Sequence, residues 1–335
     1  MTVLEVIQKS AEFLARKEVE PSRLQAELLL AHVLKLPRMK LYLNFERVLT
    51  AAELGATREI VKRRSQREPL QHLTGSTSFC GLEIAVNRNV LVPRPETELL
   101  AELGWQFLAT RGAPKGRAAS PLPAAHANTP DGAHGVTRPT ALDFGTGSGC
   151  IAIALAVKCL AARVMAVDIS SEALALARHN AERHGVAERV QFAQGDGFAP
   201  LTASCEQRWG ESPPEPQLES TDGLRGRSPH PELKFDLIVS NPPYIATAEI
   251  ETLQPEVRDF DPRTALDGGP DGLDFYRKLA AQAGEFLQPG GRMMVEFGDG
   301  QADALKKILE PQMWIVEAVR EDYSQRQRIL IAQRS

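Results

Sequence analysis

Four consecutive residues, Asn241-Pro242-Pro243-Tyr244, join an amide, two prolines and an aromatic ring directly after an apolar stretch. An amide or aromatic-amine nitrogen is a poor nucleophile because its lone pair is delocalised. The Asn241 carboxamide oxygen and the Pro242 carbonyl could accept both of its hydrogens, since consecutive prolines hold that carbonyl rigidly. Tyr244 could stack on the planar group. The four residues therefore predict a substrate site in which Asn241, Pro242 and Tyr244 activate such a nitrogen by positioning it.

A glycine-rich loop, Gly145-Thr146-Gly147-Ser148-Gly149, follows the expected strand Ala141–Phe144. Glycines allow a backbone to turn tightly and to pass close to a ligand. Loops of this kind serve several nucleotide cofactors, so the loop alone does not identify its ligand. The GxGxG spacing differs from the GxGxxG of NAD enzymes. A carboxylate at Asp143 would also repel a pyrophosphate but attract the ammonium of a methionine group, which favours S-adenosylmethionine.

Two more acidic residues stand where later strands are expected to end. Asp168 comes nineteen residues after Gly149, where a carboxylate can accept both ribose hydroxyls. Asp196 could accept the hydrogens of the adenine amino group. Aspartate also caps turns readily, but three acids at successive strand ends favour cofactor binding over that alternative. The predicted cofactor contacts are Asp143, Gly145, Thr146, Gly147, Ser148, Gly149, Asp168, Asp196, Gly197 and Asn241.

Composition and charge argue against several classes of protein. A net charge of −4 and a pI of about 6.0 supply no overall positive field for nucleic acid, although a local basic patch stays compatible with them. No apolar run reaches the ~18 residues of a membrane span, and the first residues do not resemble a secretory signal. The cysteines form no CxxC pair and the histidines no HExxH, so we expect a cytoplasmic, reduced protein without a metal site.

The first 75 residues have the apolar spacing of helices and are predicted to form a small domain, 1–75. Thr50 and Glu53 form a capping box at the start of a third helix that we expect to reach Arg67. Four cations on that helix, Lys62, Arg63, Arg64 and Arg67, are interpreted as a solvated face, with a contact to RNA or an acidic partner as the alternative.

The remaining chain divides into a connecting segment and a catalytic domain. Residues 76–139 begin with a hairpin at 78–92, in which Ser78–Gly81 and Leu82–Val86 suit strands and Asn87–Asn89 suits a turn. Residues 140–335 alternate strand and helix, which predicts a mostly parallel α/β sheet with helices on both faces. Two stretches without apolar periodicity are predicted to be surface insertions, namely 112–139 and 202–232.

With these motifs in view, the chain resembles the HemK/PrmC family, the protein-(glutamine-N5) methyltransferases of peptide chain release factors. Asn-Pro-Pro-Tyr alone is shared with nucleic-acid amino-methyltransferases, whereas Pro-Arg-Pro-Glu-Thr-Glu with a helical N-terminus is much more specific. The matching segments cover nearly the whole chain: Pro69–Gly75, Phe79, Leu91–Glu98, Asp143–Gly149, Asp168, Asn241–Tyr244, Glu256–Arg258, Pro262, Ala265, Leu266 and Glu296–Gly298.

The resemblance implies a class I S-adenosylmethionine-dependent methyltransferase. Its fold would be a Rossmann-like seven-stranded sheet with a small N-terminal helical domain that grips the release factor. The implied substrate is the glutamine of the Gly-Gly-Gln loop, its amide bound by Asn241 and Pro242. The implied cofactor contacts are Gly145–Gly149, Asp168 and Asn241. We expect a monomer that binds neither a membrane nor stable nucleic acid.

The chain also departs from the family pattern. Gly197 occupies a position where some members carry a tryptophan near the adenine, so stacking on the adenine would fall to Ile169 or Phe198. The insertions 112–139 and 202–232 are longer than the family leads us to expect.

Three other functions compete with this interpretation. An adenine or guanine amino-methyltransferase acting on nucleic acid would use the same Asn241 chemistry but needs a basic groove, and the cations at 62–67 keep it open. An NAD-dependent oxidoreductase requires the other glycine spacing and leaves Asn-Pro-Pro-Tyr without a role. A non-catalytic binding module derived from the enzyme would bind cofactor without turnover, but intact Asp143, Asp168 and Asn241 argue against it.

Overall fold

The computed structural model describes residues 1–112, 138–203 and 233–335. Nearly all of the predicted insertions 112–139 and 202–232 therefore lie outside the described residues. The helices are α1 (Val3–Ala15), α2 (Ser22–Leu34), α3 (Arg38–Tyr42), α4 (Ala51–Ser65), α5 (Leu70–Thr74), α6 (Pro95–Arg111), α7 (Cys150–Lys158), α8 (Ser171–Arg183), α9 (Ala199–Ala203), α10 (Pro255–Arg258), α11 (Asp274–Gln282) and α12 (Ala302–Leu309). The strands are β1 (Ser76–Phe79), β2 (Leu82–Ala85), β3 (Thr140–Phe144), β4 (Arg163–Asp168), β5 (Val190–Gln194), β6 (Phe235–Ser240), β7 (Leu287–Glu296), β8 (Trp314–Glu321) and β9 (Gln327–Arg334).

Within the described residues, seven strands form one sheet in the order β5-β4-β3-β6-β7-β9-β8. Strands β3 to β7 run parallel, and β9 and β8 add antiparallel pairs at one edge. The predicted α/β sheet is confirmed. The strand order reverses between β3 and β6, and ligands of open parallel sheets bind at such a switch point, beyond the carboxyl ends of the strands.

Helices cover both faces of the sheet because successive strand residues point to opposite sides and both sides are apolar. On β3, Ala141 packs with the cluster that includes α6 and α7, whereas Leu142 packs with the cluster that includes α11 and α12. On β6, Val239 and Ile238 divide in the same way. The strands are thus held from both faces, which gives their carboxyl ends a rigid position.

The N-terminal helices pack around two apolar clusters of their own. The Thr50–Glu53 capping box is present at the start of α4, as predicted. The helix ends at Ser65, two residues before the predicted end, and Arg67 adopts a φ of 72°. No helix in the described part of the chain is long and apolar enough to cross a membrane.

The β1–β2 hairpin turns earlier than predicted. Cys80 and Gly81, expected to end the first strand, form the turn, with φ values of 51° and 77°. Two successive positive φ angles match the right-handed twist of the flanking strands, and glycine adopts one of them without a steric cost. The segment Asn87–Asn89, predicted to be the turn, follows the hairpin instead.

Candidate active site

A cleft of about 670 Å³ lies at the carboxyl ends of the parallel strands, where the strand order reverses. The register pairs Asp143 on β3 with Val239 on β6, so the glycine loop and Asn241 leave the sheet side by side. A cavity of this size suits a nucleoside-sized ligand. Its walls include residues 89–91, Pro93, Arg94, Thr97, 144–148, 167–170, 195–197, Asn241, Pro243, Thr247, 262–265, 267–269, Asp274 and Phe275.

The glycine loop forms the floor of this cleft, and its glycines have different roles. Gly145 and Gly147 have φ values of 74° and 53°, and a Cβ atom on either would meet no heavy atom within 4 Å. Gly149 precedes α7, and a Cβ there would lie 3.0 Å from the Cβ of Ala177. The first two glycines therefore keep an open cradle for a ligand, and the third allows α7 and α8 to pack closely.

Asp143 lies beneath this loop and does not line the cleft. It is fully buried, and one carboxylate oxygen accepts hydrogen bonds from Thr146 Oγ1 at 2.6 Å and the main-chain N–H of Ala152 at 3.0 Å. Burial raises the pKa of Asp143 to about 7, although those two hydrogen bonds lower it. This geometry supports the turn-capping alternative: the residue braces the loop, and the expected contact with a ligand ammonium has no support here.

Asn180, which sequence reasoning missed, also braces this loop. It is fully buried on α8, and its Nδ2 donates to the carbonyls of Ser148 at 2.9 Å and Ala85 at 3.0 Å. Its Oδ1 accepts from the N–H of Ala85 at 2.9 Å. The Asn180 amide thus joins the β1–β2 hairpin to the glycine loop. No local pattern indicates this role, because the partners lie far away in sequence.

Asp168 lines the cleft at the end of β4, as predicted. Its two carboxylate oxygens accept hydrogen bonds from the N–H groups of Gly147 at 2.8 Å and Ser170 at 2.9 Å. Each carboxylate oxygen has a further lone pair, so the residue can still accept from ribose hydroxyls while its orientation is held by the backbone.

Asp196 also lines the cleft but is already paired, because its carboxylate lies 2.6 Å from the Lys278 ammonium. The methylenes of Lys278 cover Gly197, where a Cβ would lie 2.9 Å from Lys278 Cε. An adenine amino group would therefore share Asp196 with a cation.

Of the two residues expected to stack on an adenine, the structure brings only Ile169 to the cleft. Ile169 is 60% exposed and lines the wall. Phe198 is buried and stacks on Phe286, with ring centroids 4.8 Å apart, so its predicted contact with the adenine has no geometric support. Phe275, on α11, lines the cleft and is an aromatic candidate that the sequence did not single out.

The Asn-Pro-Pro-Tyr segment divides between the cleft and the protein interior. Asn241 and Pro243 line the cleft, whereas Pro242 is buried and neither it nor Tyr244 belongs to the wall. Burial raises the pKa of the Tyr244 phenol to about 12. Its main-chain carbonyl accepts from Gln301 Nε2 at 2.9 Å, which anchors the end of the segment. The predicted stacking by Tyr244 has no geometric support in this structure.

Two residues to which the sequence analysis assigned no role hold the Asn241 amide through a series of hydrogen bonds. Its Nδ2 donates to Thr97 Oγ1 at 3.1 Å, and the Thr97 hydroxyl donates to the Glu296 carboxylate at 2.7 Å. Thr97 is 2% exposed and Glu296 1%. Burial raises the pKa of Glu296 to about 7. Both residues fall within segments that matched the family pattern, but their pairing spans 199 positions and leaves no local signal.

The four cations at 62–67 divide into two pairs, of which Lys62 and Arg63 are exposed whereas Arg64 and Arg67 bind an acidic residue of the same chain. Arg64 and Arg67 each lie 2.8 Å from the Glu256 carboxylate, and the Arg64 side chain is only 5% exposed. Arg63 pairs with Glu68 at 2.6 Å. The solvated-face interpretation is therefore wrong for Arg64 and Arg67, which fasten the N-terminal helices to α10 through Glu256. Lys62 and Arg63 are exposed, as that interpretation predicted.

The described residues contain no group of three His, Cys, Asp or Glu side chains able to hold a metal ion. The acidic and basic side chains of the cleft, Asp168, Asp196, Asp267, Asp274, Arg94 and Arg263, instead suit a ligand that carries charges of both signs. The N-terminus of α7 also opens on the cleft through Cys150 and Ile151, where the helix dipole favours an anionic group such as a carboxylate.

Comparison with known proteins points in one direction. Residues 5–75 match the PrmC N-terminal domain, and residues 138–327 match a methyltransferase domain. The release factor glutamine methyltransferase of Geobacter sulfurreducens is 42% identical over 91% of this chain and 87% of its own length. Those of Chlorobaculum tepidum and Nitratidesulfovibrio vulgaris are 39% and 34% identical, over 98% and 100% of this chain and 95% and 96% of their own lengths.

Proposed function

The chain belongs to the release factor glutamine methyltransferase family, and on that premise we propose that its cleft methylates the glutamine of a release factor Gly-Gly-Gln motif at the side-chain nitrogen. It is an S-adenosylmethionine-dependent methyltransferase. The observation that carries the proposal is the position of Asn241. Its carboxamide stands at the carboxyl end of β6 beside the glycine loop, with its nitrogen bound by Thr97 and its oxygen left for the cleft.

The cofactor assignment is supported by the fit of the cleft to S-adenosylmethionine. The open cradle at Gly145 and Gly147 admits a ligand to within contact of the backbone, and the α7 N-terminus suits the methionine carboxylate. Asp168 can accept from the ribose, and Ile169 offers an apolar surface to the adenine. When bound there, S-adenosylmethionine supplies an electrophilic methyl group on a sulfonium.

The residues of the chain would act by orienting a weak nucleophile. Asn241 Oδ1 would accept one amide hydrogen of the glutamine, and the main-chain carbonyl of Pro242, whose ring is buried, would accept the other. The two contacts would turn the nitrogen lone pair toward the methyl carbon. Methyl transfer would form the N–C bond and break the S–C bond, which leaves a neutral thioether. The nitrogen would become acidic only after alkylation, so its proton would pass to solvent water then, and no base would be needed before attack. The rate gain comes from position and fixed dipoles.

The N-terminal helices, residues 1–75, are proposed to bind the release factor. Met39, Leu43 and Val48, at or just after α3, are 67%, 84% and 67% exposed, and we propose that these apolar side chains contribute to that binding surface. The Glu256 ion pairs would hold that surface at a constant distance from the cleft. We further propose that the enzyme acts as a cytoplasmic monomer without stably bound nucleic acid.

Methyl transfer from labelled S-adenosylmethionine to a purified release factor tests the proposed function. The matched control is the same factor with the Gly-Gly-Gln glutamine changed to alanine. Label on the first protein and none on the second is the expected result. Label on both would move the reaction to another residue. Label on RNA or DNA but on neither protein would support the nucleic-acid alternative, for which two of the four cations at 62–67, Arg64 and Arg67, are already paired with Glu256.

A further inference from the structure

The Asn241 carboxamide has two ends of nearly the same size and shape but opposite hydrogen-bonding character. Only the oxygen can accept a hydrogen from a substrate amide, whereas the nitrogen presents two donors. A rotation of 180° about the terminal torsion exchanges them, and that torsion is broad for Asn. An enzyme that depends on the oxygen must therefore fix the orientation from the side away from the substrate.

We propose, on the basis of the function proposed above, that Thr97 and Glu296 are positioning residues that keep the Asn241 oxygen turned toward the substrate. The contacts form a continuous buried chain from Asn241 Nδ2 to Thr97 Oγ1 at 3.1 Å and from Thr97 Oγ1 to Glu296 Oε2 at 2.7 Å. Thr97 comes from the first turn of α6 and Glu296 from the end of β7, so two separate elements enclose the end of β6.

The charge on Glu296 decides which group donates and which accepts in each of these two hydrogen bonds. An ionised carboxylate carries no hydrogen, so the Thr97 hydroxyl must donate its only hydrogen to Glu296. The Thr97 oxygen can then only accept, and it accepts from the Asn241 nitrogen. The Asn241 oxygen is thereby directed away from Thr97. A neutral group in place of the Glu296 carboxylate could donate as well as accept, and the direction would be lost.

Several groups set the protonation of Glu296. Burial raises the pKa of Glu296 to about 7, although the hydrogen bond from Thr97 lowers it. Glu96 adds to the rise, whereas Arg328 and the Tyr244 hydroxyl oppose it. Tyr276 donates to the main-chain oxygen of Glu296 at 2.7 Å and so holds this end of β7 in place. Because the protonated acid prevails below its pKa, the orientation of Asn241 is expected to weaken as the pH falls through about 7.

The first test compares Thr97→Val, which keeps the shape but removes the hydroxyl, with Thr97→Ser, which keeps the hydroxyl. We expect Thr97→Val to lower kcat about 10- to 100-fold while the Kd for S-adenosylmethionine stays within about 2-fold of wild type. Thr97→Ser should retain most of the wild-type kcat. Thermal melting of both variants separates loss of fold from loss of position.

The second test changes the charge. Glu296→Gln should lower kcat by a similar factor and flatten its dependence on pH between about pH 6 and 8, where wild-type kcat should fall toward acid. The double variant Thr97→Val/Glu296→Gln should be no slower than the slower single variant, because both residues act through one chain.

Three results would overturn the inference. These are a wild-type kcat in Thr97→Val, a kcat in Thr97→Ser as low as in Thr97→Val although cofactor binding is intact, or a pH profile of Glu296→Gln that equals the wild-type profile. A wild-type enzyme that labels no release factor would instead refute the proposed function itself. The two failures are thus distinguished by whether the wild-type protein transfers methyl groups at all.

Discussion

Replacing Glu256 by glutamine removes the carboxylate that both Arg64 and Arg67 contact. Removing one partner of a buried ion pair typically costs about 3–5 kcal/mol, because the remaining charge stays buried without compensation. Arg64 is only 5% exposed, but it keeps two other acceptors, Gln25 Oε1 at 2.8 Å and the carbonyl of Glu68 at 3.1 Å. We therefore expect a smaller loss, about 2–3 kcal/mol in the free energy of unfolding.

Urea denaturation of Glu256→Gln measures this loss, and Glu251→Gln is the matched control. Glu251 pairs with Arg263 at 3.4 Å, with side chains 71% and 57% exposed, so its replacement should cost less than about 1 kcal/mol. Hydrogen exchange in α2 and α4 should also quicken in Glu256→Gln, since these helices lose their attachment to the catalytic segment. Equal stability of Glu256→Gln and Glu251→Gln would refute the view that these ion pairs join the two parts of the protein.

The same ion pairs predict how the difference in the free energy of unfolding between wild type and Glu256→Gln depends on pH. Although burial alone would raise it, the hydrogen bonds from Arg67 and Arg64 hold the pKa of Glu256 below its ordinary value of 4.5. A group whose pKa is lower in the folded state stabilises the fold fully above its unfolded value and loses that contribution as pH falls through its folded value. The stability gap between wild type and Glu256→Gln should therefore be constant near neutral pH and close below about 4.5.

Three further changes test the cleft. Asn241→Ala should abolish methyl transfer while only modestly weakening S-adenosylmethionine binding measured by calorimetry, and wild-type turnover would exclude its proposed role. Asp168→Asn should weaken cofactor binding about 10- to 100-fold, since a charged acceptor is replaced by a neutral one, and unchanged affinity in the same titration would contradict the ribose contact. Gly149→Ala should lower the free energy of unfolding by about 2 kcal/mol through its φ of 80° and the 3.0 Å approach to Ala177. Gly147→Ala, with positive φ but open space, is its control in denaturation, and equal losses would remove the packing role of Gly149.

The features that the sequence predicted correctly depend on residues close together in the chain. The capping box at Thr50 and Glu53 spans three residues, and the alternation of strands and helices is visible in the spacing of apolar side chains. The glycine loop and the acid at Asp168 each follow a strand, so their place at one edge of the sheet follows from parallel strand direction. Local hydrogen bonding and apolar periodicity were sufficient for these assignments.

Predictions about individual side chains were less successful, because a side chain's direction depends on what packs around it. Asp143 and Phe198 sit at the expected positions in the chain, but both turn into the interior, one to brace the loop and the other to stack on Phe286. At the hairpin, the turn moved to Cys80 and Gly81 because two adjacent residues there accept positive φ, which the alternation of apolar residues did not indicate.

The sequence by itself determined the architecture of this protein, its glycine cradle and the amide that faces the cleft, because each is specified by neighbours within a few positions. Only the tertiary structure decided how that amide is held and how the two parts of the chain are joined. Thr97 reaches Glu296 across 199 positions, and Arg64 reaches Glu256 across 192. Contacts of that range depend on how the helices and strands pack, and the spacing of residues along the chain contains no information about them.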